Sequence, residues 1–216
     1  MPGVTISAGY GAGGSVVAPH VARLLGLPML DRAISSRVAA QLHVSVEEAQ
    51  GGGVRRSFIE LLAPLAAGIL AAGPDAAPRD LAVPPDETGL FREQAEAIMR
   101  AALATGAVIL GRAGAAAFQA EPGVLRVRLF GPVPARIAQA ARIESTDAET
   151  ARQRLPQVDR ARAHYVRRLY RADIDDPALF HLHLDSTAIP LDACAALIVT
   201  AYRAVVPAAG PPEAES

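Results

Sequence analysis

Four glycines within six residues, Gly9, Gly11, Gly13 and Gly14, separate a β-branched run, Val4-Thr5-Ile6, from an apolar pattern of helical period that begins at Val16-Val17-Ala18. Strand, glycine loop and helix in that order make a helix N-terminus into an anion site. Glycines let the backbone take positive φ and come close to the ligand, so that successive N–H groups line one concavity. The segment Gly9-Tyr10-Gly11-Ala12-Gly13-Gly14-Ser15 is therefore the candidate phosphate cradle; a plain flexible turn is the competing reading, disfavoured by the strand–helix context. The Walker A pattern ends in Gly-Lys-Ser/Thr. This chain has no lysine, and Gly14 stands where the lysine belongs.

All 21 basic residues are consequently arginine, and 11 of them fall between Arg126 and Arg171, with only Glu144, Asp147, Glu149 and Asp159 as acids in that segment. Guanidinium forks bind phosphate oxygens bidentately, which suits such a segment to phosphate groups. Arg160 and Arg162 are candidates within it, although arginines on a helix are also an ordinary solvated face. Asp31 and Arg32 follow the short run Leu27–Leu30, and Arg112 follows Ala107–Leu110. Residues just past a strand's carboxyl end face the ligand crevice of an open α/β sheet. A helix-capping Asp31 beside a surface arginine, and an Arg112 paired with a neighbouring acid, are the alternatives. His181 and His183 share one side of a strand without a visible third metal ligand, so a solvent-facing edge is expected. Cys194 lies in an apolar helix and is expected in the core. Tyr165 and Tyr170 give little stacking surface among the arginines, so nucleic acid is not an expected partner.

The elements that must position these groups alternate along the chain. A helix is expected over Val16–Leu25, capped by Ser15 and stopped by Gly26, with Pro19 tolerated only in the first turn. Further helices are expected over Ala33–Leu42, in a short piece opened by the capping box Ser45-Val46-Glu47-Glu48, and over Val54–Ala72. Others follow over Thr88–Ala104, with Phe91, Ala95, Ile98, Met99 and Ala102 on one face, and over Val133–Ile143, Thr146–Tyr170 and Asp192–Val205. Strands are expected at Val4–Ile6, Leu27–Leu30, Ala107–Leu110, Val124–Phe130 and Phe180–Leu184. Gly51-Gly52-Gly53 marks a joint, residues 73–87 form the least structured internal stretch, and 207–216 form a disordered tail. The 216 residues, 51% hydrophobic, then fit a single domain over 1–206. Five strands alternating with helices imply an α/β fold, a parallel sheet in three layers with helices on both faces. One cysteine allows no internal disulfide, no leader pattern opens the chain, and the most apolar window, Leu61–Ala72, is too short to span a bilayer; a cytoplasmic protein with no membrane partner is expected.

Taken together, the chain resembles the cytidylate kinase-like family of P-loop nucleoside monophosphate kinases. The carriers are Ile6-Ser7-Ala8-Gly9-Tyr10-Gly11-Ala12-Gly13-Gly14, Gly26-Leu27-Pro28-Met29-Leu30-Asp31-Arg32 and Val108-Ile109-Leu110-Gly111-Arg112. Val124-Leu125-Arg126-Val127-Arg128, Asp159-Arg160-Ala161-Arg162-Ala163-His164-Tyr165 and Leu184-Asp185-Ser186-Thr187 follow in family order. That family already lacks the loop lysine, while Ala8 and Ser15 stand where its members commonly carry arginines. The resemblance implies a three-layer P-loop kinase fold and transfer of the γ-phosphoryl of ATP to a nucleoside monophosphate, CMP or dCMP, with Mg2+ bridging phosphates. By the same likeness Gly9–Ser15 would hold the donor, Asp31, Arg32 and Arg112 the acceptor, and Arg112, Arg160 and Arg162 the transferring group. Residues 51–87 would form the acceptor-binding insert and 145–176 an arginine-rich lid. Ser15 and Asp31 are the candidate magnesium ligands, and Leu110-Gly111 offers no Walker B-like carboxylate. Two other readings stay open: a degenerate P-loop protein that binds nucleotide or phosphate without efficient transfer, and an arginine-faced interaction domain with a vestigial loop.

Overall fold

The computed structural model describes residues 1–30, 85–111 and 113–206. Strand β1 (Gly3–Ala8) leads through the glycine loop into helix α1 (Gly14–Leu25), followed by the short strand β2 (Met29–Leu30). Helix α2 (Pro85–Ala104), strand β3 (Ala107–Leu110) and the one-turn helix α3 (Gly114–Ala117) come next. Strand β4 (Val124–Phe130) feeds a helical hairpin, α4 (Val133–Glu144) and α5 (Ala148–Tyr170). A 3-10 turn (Pro177–Leu179), strand β5 (Leu182–Asp185) and helix α6 (Leu191–Val205) complete the described chain. The predicted helices Ala33–Leu42 and Val54–Ala72, the capping box at Ser45, the glycine joint and the tail 207–216 lie outside the described residues.

The five strands form one parallel sheet in the order β2-β3-β1-β4-β5. With β1 central, the chain first winds out to β2, returns to β3 and then crosses to β4 on the other side. The carboxyl ends of β1, β3 and β4 thus border the point where the winding reverses, which is where open α/β sheets place their ligands. Both faces are covered, and β3, Ala-Val-Ile-Leu, is a continuous apolar run for that reason. On one face Val4, Ile6, Val108, Leu110, Leu125, Val127 and Leu129 pack with Val17 and Val21 of α1 and with Cys194 and Ile198 of α6. On the other, Ala107, Ile109 and Val124 meet Met99 and Leu103 of α2 and Phe118. This is the three-layer arrangement expected.

Three local expectations change. Helix α1 starts one residue before Ser15, with Gly13 as its N-cap at φ 72° and no side-chain cap bond. The loop's left-handed turn directs backbone into the helix start, so Ser15 is left exposed in the first turn instead of capping. Pro19 falls in the second turn of α1, where it removes an N–H from the ladder. Strand β5 begins at Leu182 rather than Phe180, because the Asp176 carboxylate accepts from Ala178 N–H (2.9 Å) and opens the 3-10 turn that carries Phe180 to its end.

Candidate functional site

The glycine loop is held from outside by four side chains that take its carbonyls in turn. Arg162 of α5 donates to Ala8 O (2.7 Å), Arg136 of α4 to Tyr10 O (3.0 Å), Gln139 of α4 to Gly11 O (2.9 Å) and Ser186, just past β5, to Ala12 O (2.8 Å). Because a trans peptide points its N–H opposite its carbonyl, the Gly11 and Gly13 amides face the other way. The N–H groups of Gly14 and Ser15, in the first turn of α1, have no intrahelical acceptor. Amides and a helix dipole thus converge on one side of the loop, as phosphate oxygens require.

Glycine is demanded where α4 touches the loop. At Gly11, whose φ is 76°, a Cβ would come within 2.1 Å of the Arg136 carbonyl, whereas one at Gly9 would meet only the movable end of the Arg136 side chain, 2.7 Å away. Tyr10 anchors the other direction. Its ring joins Ile137, Ala140, Ala151, Leu155 and Val158 in the core of the α4–α5 hairpin, and its hydroxyl donates to Glu144 (2.8 Å). Burial, reinforced by the Glu144 carboxylate, pushes the Tyr10 hydroxyl up to about 12.

A polar cavity of about 240 Å3 opens between the loop, the end of β4 and α5. It is lined by Arg128, Arg136 and Arg162, by Asp159 and Asp175, and by Phe130 and Ile174. Asp159 accepts Tyr10 N–H (2.7 Å) through Oδ1 and Arg136 Nη1 (2.6 Å) through Oδ2. Arg128 donates to Ser7 Oγ (3.0 Å) and pairs with Asp175 (2.6 Å). Burial pulls its guanidinium below the ordinary value while Asp175, and after it Asp159, push it back; an arginine stays charged regardless. An apolar cavity adjoins along Ala8, Arg162 and Ile174, lined by Ala113–Ala116, Tyr165, Val166, Leu179 and Phe180.

Of the residues expected at the site, the structure brings together the whole loop Gly9–Ser15 and Arg162. Arg160 is exposed on α5, where its Nε donates to Pro156 O one turn back (3.1 Å), and it does not line the cavity. Asp31, Arg32 and Arg112 lie outside the described residues. His183 edges against the Phe180 ring, and His181 Nδ1 accepts Arg126 N–H (3.3 Å), so both serve the sheet margin. Cys194 is fully buried, as expected. Sequence reasoning passed over Arg128, Arg136, Gln139, Asp159 and Asp175. Arg136 had one available signal, its place one turn into the helix that follows β4.

Among the described residues no three His, Cys, Asp or Glu side chains gather as a metal cluster. A magnesium ion carried by nucleotide phosphates asks the protein for only one or two oxygens. Ser15, an expected magnesium ligand, is exposed in the first turn of α1.

No helix among the described residues is long and apolar enough to cross a membrane. Comparison with curated proteins gave no match. Among solved structures, an uncharacterized protein from Eubacterium ventriosum superposes with a TM-score of 0.61 at 14% identity, covering 94% of this chain and 98% of that one. A shikimate kinase from Acinetobacter baumannii in complex with shikimate gives 0.48 at 16% identity, covering 94% of each chain. A gluconokinase from Sinorhizobium meliloti gives 0.44 at 13% identity, covering 94% and 93%. The sequence profile of the cytidylate kinase-like family matches residues 3–188, and the chain belongs to that family.

Proposed function

We propose that the protein is a phosphotransferase that moves the γ-phosphoryl of ATP to a nucleoside monophosphate, CMP or dCMP. The observation that carries this reading is the glycine loop at the sheet's winding reversal, with Arg136 and Arg162 bonded directly to its backbone. The donor phosphates lie along the amides of Gly11 and Gly13–Ser15. The acceptor enters from the ends of β1 and β3, and Asp31, Arg32 and Arg112 are its expected contacts. An acceptor phosphate oxygen forms the new bond to the γ-phosphorus as the bond to the β-phosphate bridging oxygen breaks, and ADP leaves. Such a transfer needs positioning and charge stabilisation more than covalent help. Arg136 and Arg162 grip the loop carbonyls from the face opposite those amides and so hold the cradle in shape without the missing lysine. Magnesium, when bound with ATP, neutralises phosphate charge; the loop amides orient the chain of phosphates, and α5 keeps water from it.

The second reading is a binder without efficient transfer. It is favoured by Gly14 in the lysine position and by Ala8 and Ser15 at positions where arginines are common in the family. A coupled assay with ATP, magnesium and a panel of nucleoside monophosphates separates the two. Turnover on CMP or dCMP that collapses in Arg162→Ala and persists in Arg160→Ala supports the kinase. ATP binding without turnover on any acceptor supports the binder, and absence of both removes the two readings together.

A further inference from the structure

Helix α6 turns an uncharged face to solvent. Toward the sheet it buries Cys194, Ala195, Ile198 and Val199. At 3.6 residues per turn the opposite face carries Ala193, Ala196, Leu197, Thr200 and Ala204. A surface helix ordinarily sets charged and polar residues there. Leu197, at the centre of this face, is 45% exposed, and the Thr200 hydroxyl donates back to Ala196 O (3.0 Å), so its bond is made within the helix. Charges border the face only at its ends. Asp192 lies in the first turn and Arg203 in the last, and the eleven residues between their positions are about three turns, which puts both on one flank. Both are exposed, and neither forms an ion pair among the described residues. Acid first and base last suits the helix dipole; it also makes the face complementary to itself.

We propose that α6 is a self-pairing surface, through which two copies of the chain associate antiparallel about a twofold axis beside Leu197. In such an isologous contact residue i meets j and j meets i. The midpoint of Asp192 and Arg203 falls next to Leu197, so Leu197 packs on its own copy, Ala196 on Thr200 and Ala193 on Ala204. Asp192 of each copy meets Arg203 of the other, and because both lie on the same flank the two ion pairs form together. Parallel pairing would instead set Asp192 against Asp192 and Arg203 against Arg203. This reciprocal placement of the charges selects a second copy over an unrelated partner. Small side chains let the helix axes approach to about 8 Å, the near end of the usual range. Helix α1 lies beside α6 in the same layer, and its exposed Val16 and Leu24 enlarge the apolar surface around the pair. The face of α6 is about 22 Å long, too little for a permanent dimer, so the association is weak and depends on concentration.

Sedimentation equilibrium of the full chain tests this, with Leu197→Glu, Asp192→Arg, Arg203→Asp and an equimolar mixture of the last two. Wild type should dimerise with a dissociation constant on the order of 100 µM. Leu197→Glu sets two carboxylates at the axis, and each single reversal sets like charges together twice, so each should weaken the dimer about tenfold or more. The mixture should recover the wild-type constant, since a copy with two arginines on its flank then meets a copy with two aspartates. A variant that had merely lost its fold would not be restored by mixing. A wild type that stays monomeric at about 1 mM overturns the proposal and gives the face to another part of the chain or to a different partner. A dimer that the reversals and Leu197→Glu leave unchanged overturns it as well, because its contact then lies on another surface. So do reversals that weaken the dimer while their mixture stays monomeric, since the reciprocal pairing of Asp192 with Arg203 is then absent.

Discussion

At Gly11 one hydrogen decides whether the loop can lie against α4. Alanine there must hold φ at 76° and place its methyl within 2.1 Å of the Arg136 carbonyl. Left-handed backbone costs a non-glycine residue about 1–2 kcal/mol, and the clash with backbone adds to it. Gly11→Ala should therefore destabilise the protein by about 3 kcal/mol in urea unfolding. A shift below about 0.5 kcal/mol would mean that the loop packs otherwise. Tyr10 is the complementary case, a side chain tying the same loop to the hairpin. Its hydroxyl is raised to about 12 in the fold against 10.0 for a free tyrosine, so folding favours the neutral phenol. That contribution is complete below pH 10 and is lost as pH rises toward about 12. Tyr10→Phe removes the bond to Glu144 and should cost about 1 kcal/mol at neutral pH. Above pH 10 the gap between the two proteins should shrink, as followed by unfolding midpoints from pH 8 to 12. A gap constant across that range would separate Tyr10 ionisation from stability.

Helix ends show what the sequence conveys at the next scale and where it misleads. Helix α1 stops at Gly26 with φ 66°, whereas α4 and α5 stop at Ser145 and Arg171, each at φ 52°. The glycine was a readable stop signal; the other two ends carry the same left-handed turn without it. Exchanging the residues in opposite senses should reverse the sign of the effect. Gly26→Ala meets open space and should cost about 1 kcal/mol from backbone alone. Ser145→Gly and Arg171→Gly should each gain roughly 0.5 kcal/mol, after the entropy glycine adds to the unfolded chain, or about 1–2 °C in melting temperature. Thermal melts of the three variants check the series, and a loss at both glycine substitutions would contradict it. The same logic explains Ser15. A serine before an apolar helical pattern reads as a cap, but the left-handed Gly13 occupies that role through backbone, which local side-chain preference does not reveal. Strand β3 was legible as a continuous apolar run buried on both faces, and β4 as an alternation in which Arg126 and Arg128 interrupt the apolar residues.

The site is assembled at the scale of the whole molecule, and there the sequence was least explicit. Arg136 and Tyr10 are 126 residues apart, and Asp159 and Tyr10 are 149 apart, yet they meet within one hydrogen-bonded group. No spacing rule reaches so far; only the winding of the sheet, which brings the ends of β1 and β4 side by side, makes them neighbours. The glycine loop could be read because its chemistry is local, while the cations that complete it are contributed by tertiary packing. If the assembled loop holds polyphosphate, ligand and fold must be linked. ATP with magnesium at about 100 times its dissociation constant should stabilise the protein by about 2.7 kcal/mol, roughly 5–10 °C in melting temperature. Arg136 uses its fork to reach Gly131 O through Nε, and Tyr10 O and Asp159 through Nη1, so charge alone is not a substitute. Arg136→Lys should therefore lose most of the ATP-induced shift, while Arg160→Lys, on the exposed face of α5, should keep it. Equal shifts in the two variants would mean that the arginine bonded to the loop takes no part in holding the phosphates, and that the loop amides suffice.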